Sequence, residues 1–257
     1  MSDEVLVSAG EGLLRVTLNR PEKRNPLSRA VLARLRGVFE AHRDDEFGLA
    51  LLTGAGERSF AAGGDLRDLE QLRTPAQARE LYDLGNGALQ AIREFPVPVV
   101  AALNGLALGG GAELAAACDL RIAAAHARIG FVHGTLNISP AWGGGSDLVA
   151  ILGPARGLEL LCSARVLSAA EAQTLGLAEA VAAEGEPFAD FVARFLAPLR
   201  KQRPQVMRAF KWQAAARKLG MARGETGARD RELFALAWCH ADHWQAAANI
   251  LKKEPTK

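Results

Sequence analysis

Strand-type and helix-type periodicities trade places along most of this chain, and from about Pro187 onward only the helical period remains. That change admits few architectures. Alternating strands and helices build a sheet covered by helices, whereas a terminal run of helices packs outside it. The expectation is therefore an α/β fold, with a core over residues 1–190 and a helical region over residues 191–257. Within the core, VLVSAGEGLLRVTLNR holds two β-type runs around a Gly-containing turn, which predicts a hairpin. PLSRAVLARLRGVFEAHR sets Val31, Leu32, Leu35, Val38 and Phe39 on one helical face behind Ser28 as N-cap. GLALLTGAG and PVPVVAALNG read as buried strands, and PAQARELYDLGNGALQAIREF as a helix opened by Pro75. DLRIAAA and ARIGFV return to strand character, and GLAEAV is the last strand before the helices.

Three consecutive glycines, Gly109 to Gly111, interrupt the apolar run AALNGLALGGGAELAAACDL, and a lone acid, Glu113, follows them. Glycine loses more chain entropy on folding than any other residue, so three together need a reason. Where a strand runs through glycines into a helix, unpaired N–H groups lie at the positive end of the helix dipole. With no Cβ in the way, a ligand oxygen comes close to them. RSFAAGGDL has the same look, with Gly63 and Gly64 ahead of Asp65. Two such bends supply a pair of donors for charge on a carbonyl oxygen, each worth about 2.7–4 kcal/mol. Neither is a phosphate loop, because GxxxxGK[ST] and GxGxxG do not occur at these places. Glu113 has two readings: an acid stabilised by the helix dipole or, beside such glycines, a proton-transfer group.

Charge adds an exclusion. With 31 basic and 29 acidic residues the net charge is +2, which gives no signature for nucleic acid or membrane partners. The basic residues of LRKQRP and AFKWQAAARK read as solvated helix faces. Three cysteines without a CxxC pair suggest reduced thiols and a cytoplasmic location. MSDEVLVSAG lacks the pattern of a secretory signal, and no uninterrupted apolar run reaches membrane-spanning length. HADH, His240 to His243, reads as a surface helix feature rather than a metal site.

NRPEKRNPLS (residues 19–28), SFAAGGDL (59–66) and NGLALGGGAELAAACDLRIA (104–123), in that order, resemble the crotonase, or enoyl-CoA hydratase/isomerase, superfamily. SARVLSAAEAQTLGLAEAV (163–181) matches the family's next block. The resemblance implies a spiral of ββα units with a C-terminal helical trimerisation region, self-associating as a trimer or dimer of trimers. It implies acyl-CoA thioester substrates and no cofactor beyond the coenzyme A that the substrate carries. The N–H groups of Gly64 and Gly110 would form an oxyanion hole, so that an enolate develops at the α-carbon beside Glu113. The NRPEK segment with Ala62, Asp65 and Leu66 would line the coenzyme A path, and Lys23 and Arg24 would meet its phosphates.

One departure matters. Hydratases of this family carry a second glutamate, and with Pro140 and the following glycines aligned that position falls on His133. The string FVHxxxxIxPxWGG (131–144) resembles the alkylmalonyl-CoA decarboxylase subgroup, including the ethylmalonyl type, as does RELFALAW (231–238). Decarboxylation suits these residues: Phe131, Val132 and Trp142 would solvate a carboxylate poorly, and His133 would bind it or protonate the α-carbon. Glu113 is expected to be protonated in turnover and to serve as proton donor. Gly143 to Gly145 read as a tight loop over the acyl pocket. Retained Glu113 supports a rival, an enoyl-CoA hydratase or isomerase. A non-catalytic binding module, for RNA among others, is disfavoured because both glycine bends are intact and no basic–aromatic cluster stands out.

Overall fold

The computed structural model of the chain describes residues 3–218 and 220–251. Strands β1 (Val5–Gly10) and β2 (Leu13–Leu18) form the expected antiparallel hairpin, turning on Glu11 and Gly12, both at positive φ. Helix α1 (Arg29–Ala41) starts where Ser28 accepts the N–H of Val31, and it buries the five apolar residues read from the spacing.

Three units of one pattern follow. A first unit runs β3 (Leu49–Gly54), β4 (Ser59–Ala61), the single turn α2 (Leu66–Leu69) and α3 (Pro75–Arg93). A second runs β5 (Val99–Leu103), β6 (Leu106–Leu108) and α4 (Gly110–Ala117). The third opens with β7 (Leu120–Ala123) and β8 (Arg128–Gly130) and continues through α5 (Gly144–Leu152) and α6 (Pro154–Ser163). Then come β9 (Leu167–Ser168), α7 (Ala169–Leu175) and β10 (Ala180–Val181). The first strand of each unit joins a six-stranded sheet ordered β1-β2-β3-β5-β7-β10, and the second joins a four-stranded sheet ordered β4-β6-β8-β9. Because β3, β5 and β7 are neighbours and parallel, as are β4, β6 and β8, the chain advances by one strand in each sheet per unit. That is the ββα spiral. Strand β6 is not among the expected strands: its three residues are bounded by Gly105 and Gly109, so no longer apolar run marks it, and the chain changes sheet at Asn104 and Gly105. Asn104 is buried there, accepting from Gly54 N–H and donating to the carbonyls of Gly56 and Ser59.

All of β5 is buried, and Phe39 of α1 meets Phe95, in the connection from α3 to β5, edge-on at 5.2 Å. The helical region comprises α8 (Phe188–Leu199), α9 (Pro204–Lys218), α10 (Arg223–Cys239) and α11 (Ala241–Leu251). The boundary expected at residues 190 and 191 runs through α8, whose Phe191, Val192 and Leu196 join the core together with Met207 of α9. Helices α10 and α11 instead present Phe234, Leu236, Trp238, Trp244, Ile250 and Leu251 to the surface. His240 and His243 lie at the α10–α11 junction, where His243 packs on the ring of Trp238 at 4.5 Å. Among the described residues no helix is long and apolar enough to cross a membrane.

Cys118 is buried at the end of α4, and burial pushes its thiol up to about 12, whereas Cys162 and Cys239 are exposed. The thiolate is the nucleophile in alkylation. Iodoacetamide at neutral pH is therefore expected to leave Cys118 unmodified in the folded protein and to modify it after denaturation, read by mass spectrometry.

Candidate active site

Both glycine bends sit at the C-terminal ends of neighbouring short strands. Ala61 of β4 pairs with Ala107 of β6, so the segments leaving those strands run side by side. A Cβ built on Gly63 would lie 3.6 Å from the nitrogen of Gly110. The first bend is pinned by two bonds to Leu27, whose N–H donates to Gly63 O at 2.8 Å and whose carbonyl accepts from Asp65 N–H at 3.1 Å. The second is pinned by Gly109 N–H donating to Gly130 O at 2.9 Å, with Gly109 at φ 53°. Between these ties, the N–H groups of Gly64 and Gly110 have no acceptor among the described residues.

Glu113 lies one turn into α4 and is 1% exposed. Its Oε2 accepts from Trp142 N–H at 2.9 Å and Gly144 N–H at 3.0 Å. Its Oε1 accepts from Ala141 N–H at 3.4 Å and stands 3.0 Å from Nε2 of His133. A carboxylate offers about four lone-pair directions, and these neighbours take them all. The expectation of Glu113 as direct donor to carbon therefore changes. A proton could sit on this acid only at Oε1, and only with Nε2 of His133 as its acceptor.

Of Gly143 to Gly145, only Gly143 lies in a bend, at φ 85°. Gly144 and Gly145 open α5, and a Cβ on Gly144 would stand 2.3 Å from Cβ of Glu113. Glycine is there to let the helix N-terminus close onto the acid. Glu113→Gln is expected to cost about 1–3 kcal/mol of stability in denaturant unfolding, because the amide NH2 faces at least one backbone N–H that loses its acceptor.

His133 sits in a 3-10 turn, Val132–Leu136, that follows β8, and is 7% exposed. Its Nδ1 is buried with no partner among the described residues. Two aromatic rings adjoin these groups. Phe131 is buried with its ring 6.4 Å from that of His133. The Trp142 indole is slotted between α3 and α4: a Cβ on Gly85 would lie 2.2 Å from its Cδ1, and one on Gly110 would lie 2.3 Å from its Cζ3. Its Cη2 would be 4.0 Å from a Cβ on Gly64, so the benzo edge lies over both bends.

The remaining candidates lie along one rim. Lys23 and Arg24 are exposed on a single 3-10 turn, and Arg24 O accepts the N–H of Ala62 at 3.0 Å. Leu66 is exposed, and Asp65 is tied to Arg20 at 2.9 Å. Arg20, Arg93 and Asp147 were not singled out from the sequence. Charged residues on strand ends and helix faces carry no signal of a buried partner until the fold is known.

A family model described as enoyl-CoA hydratase/isomerase matches residues 8–250. The crotonyl-CoA hydratase of Syntrophomonas wolfei is 37% identical over 180 residues, which are 70% of this chain and 69% of that protein. The ethylmalonyl-CoA decarboxylase of Bos taurus is 30% identical over 244 residues, covering 94% and 78% respectively. Among solved structures, an enoyl-CoA hydratase from Bacillus anthracis superposes with a TM-score of 0.89 at 28% identity, over 99% of this chain and 98% of that one.

Proposed function

Because the chain belongs to the enoyl-CoA hydratase/isomerase family, also called the crotonase superfamily, we propose that it decarboxylates a short alkylmalonyl-CoA. The thioester oxygen would sit between the N–H groups of Gly64 and Gly110, and the substrate carboxylate against Phe131 and Trp142. When the bond from the α-carbon to the carboxylate breaks, CO2 leaves and its electron pair passes through the α-carbon to the thioester oxygen, where the two amides stabilise it. A proton on Nδ1 of His133 then moves to the α-carbon, giving a saturated acyl-CoA, and His133 regains a proton from water. Glu113 would hold the ring through Nε2 without touching the substrate.

The observation that carries this reading is the contrast between the two acid–base groups. Glu113 has no free lone pair, while His133 keeps one unpaired nitrogen. Hydration needs a group that holds and deprotonates water, and the saturated Glu113 is poorly placed for it. The second reading, an enoyl-CoA hydratase or isomerase, is supported by the crotonyl-CoA hydratase relative. Supplying ethylmalonyl-CoA and crotonyl-CoA separately tests the two. CO2 release from the first is expected; loss of enoyl absorbance from the second without any CO2 contradicts the proposal.

The same reading assigns the pantetheine path to Ala62, Asp65 and Leu66 and the phosphates to Lys23 and Arg24, all on the rim of the first glycine bend. No cofactor is assigned beyond the coenzyme A of the substrate. The apolar surface of α10 and α11 suits self-association as a trimer or dimer of trimers, and a cytoplasmic location accords with cysteines left as free thiols.

A further inference from the structure

The segment that supplies three N–H groups to Glu113 is held from its other side by ions. Arg93, in the last turn of α3, donates from Nη2 to the carbonyl of Trp142 at 2.9 Å. The same guanidinium donates from Nε and Nη2 to Oδ2 of Asp147 at 2.9 and 2.8 Å. Asp147 in turn donates its N–H to the carbonyl of Gly143 at 3.1 Å. The peptide unit joining Gly143 and Gly144 is thereby fixed at both ends, its carbonyl on Asp147 and its N–H on Glu113. Oδ1 of Asp147 meets Nζ of Lys218, the last residue of α9, at 2.8 Å, and Lys218 also donates to Ala116 O in α4 at 3.1 Å.

We infer that Arg93, Asp147 and Lys218 are positioning residues: they aim the Ala141–Gly144 backbone at Glu113, and through Glu113 they orient His133. Burying such ions is a poor route to stability, since apolar residues often serve as well. What an arginine fork adds is direction, because one planar group reads a carboxylate and a carbonyl together. Lys218 extends the chain into the helical region, so the seating of α9 bears on the acid–base pair some distance away. The inference rests on the proposed role of His133 in the reaction, and its test includes a readout that needs no turnover.

That readout is the ring 15N spectrum of His133, assigned by its loss in His133→Gln. Arg93→Lys keeps a charge opposite Asp147 but cannot repeat the fork, and Lys218→Met alters a side chain that is 27% exposed. Both are expected to shift the His133 signals and to lower kcat on an alkylmalonyl-CoA by about fivefold or more with KM little changed, while Lys218→Arg restores both. Should Arg93→Lys not fold, Lys218→Met decides alone. If the folded variants keep wild-type His133 signals and wild-type kcat, the inference is overturned. If the wild type releases no CO2, the proposed reaction falls, and the His133 spectrum still judges the relay: moved signals uphold it and unmoved signals overturn it.

Discussion

His133→Gln is expected to lower CO2 release from an alkylmalonyl-CoA by about 10²–10⁴-fold, the range that a positioned proton donor contributes. Glutamine keeps an N–H to offer Oε1 of Glu113 and has similar reach, but it does not titrate. The loss should fall on kcat and leave KM nearly unchanged, because the bends and aromatic rings proposed to hold the thioester are untouched. Adding Glu113→Gln to this variant should cost little more, since in the proposed reaction Glu113 would act through the imidazole that is already gone. A drop of less than about tenfold in His133→Gln would remove that residue from the proton path.

Gly110→Ala is expected to lower kcat/KM by about 10²–10³-fold, the cost of losing one oxyanion donor. Its methyl would stand 2.3 Å from Cζ3 and 2.8 Å from Cη2 of Trp142. The indole has no room to retreat, because Gly85 receives its other edge in a space where a Cβ would be 2.2 Å away. The start of α4 must therefore shift and carry the Gly110 N–H with it, at an overpacking cost of about 1–3 kcal/mol in stability. Trp142→Phe in the same chain shortens the wall and should recover part of the rate. Gly110→Ala with wild-type kinetics would mean that this amide does not hold the reacting oxygen.

The long strands of the first sheet were legible because each is an apolar run of five or six residues bounded by turns, as in GLALLTGAG and PVPVVAALNG. Short strands were legible only where apolar neighbours lengthen the run, as for β8 in ARIGFV; β6 and β9, of three and two residues, have no such extension. The two glycine bends stood out from composition alone. That they adjoin follows from β4 pairing with β6, which lie more than 40 residues apart in the chain. His133 was found through the resemblance and not through spacing: its ring stands 3.0 Å from Glu113 because the 3-10 turn after β8 carries it there.

Backbone donors were invisible by nature. Every non-proline residue has an N–H, so no reading of residue types shows that Ala141, Trp142 and Gly144 aim theirs at one acid. The helical placing of Gly144 and Gly145 escaped notice for the same reason, for a glycine run signals close approach without naming what approaches. Arg93, Asp147 and Lys218 sit on three different helices, where sequence reading assigns charges to solvated faces.

The most direct measurement is a crystal structure of the chain with butyryl-CoA, the saturated product that ethylmalonyl-CoA would give. The account predicts the thioester oxygen within about 3.1 Å of both the Gly64 and Gly110 nitrogens, and the α-carbon about 3–3.5 Å from Nδ1 of His133 with Glu113 still bound to its three backbone donors. A thioester oxygen held elsewhere, or an α-carbon facing Glu113 with His133 turned away, would contradict it.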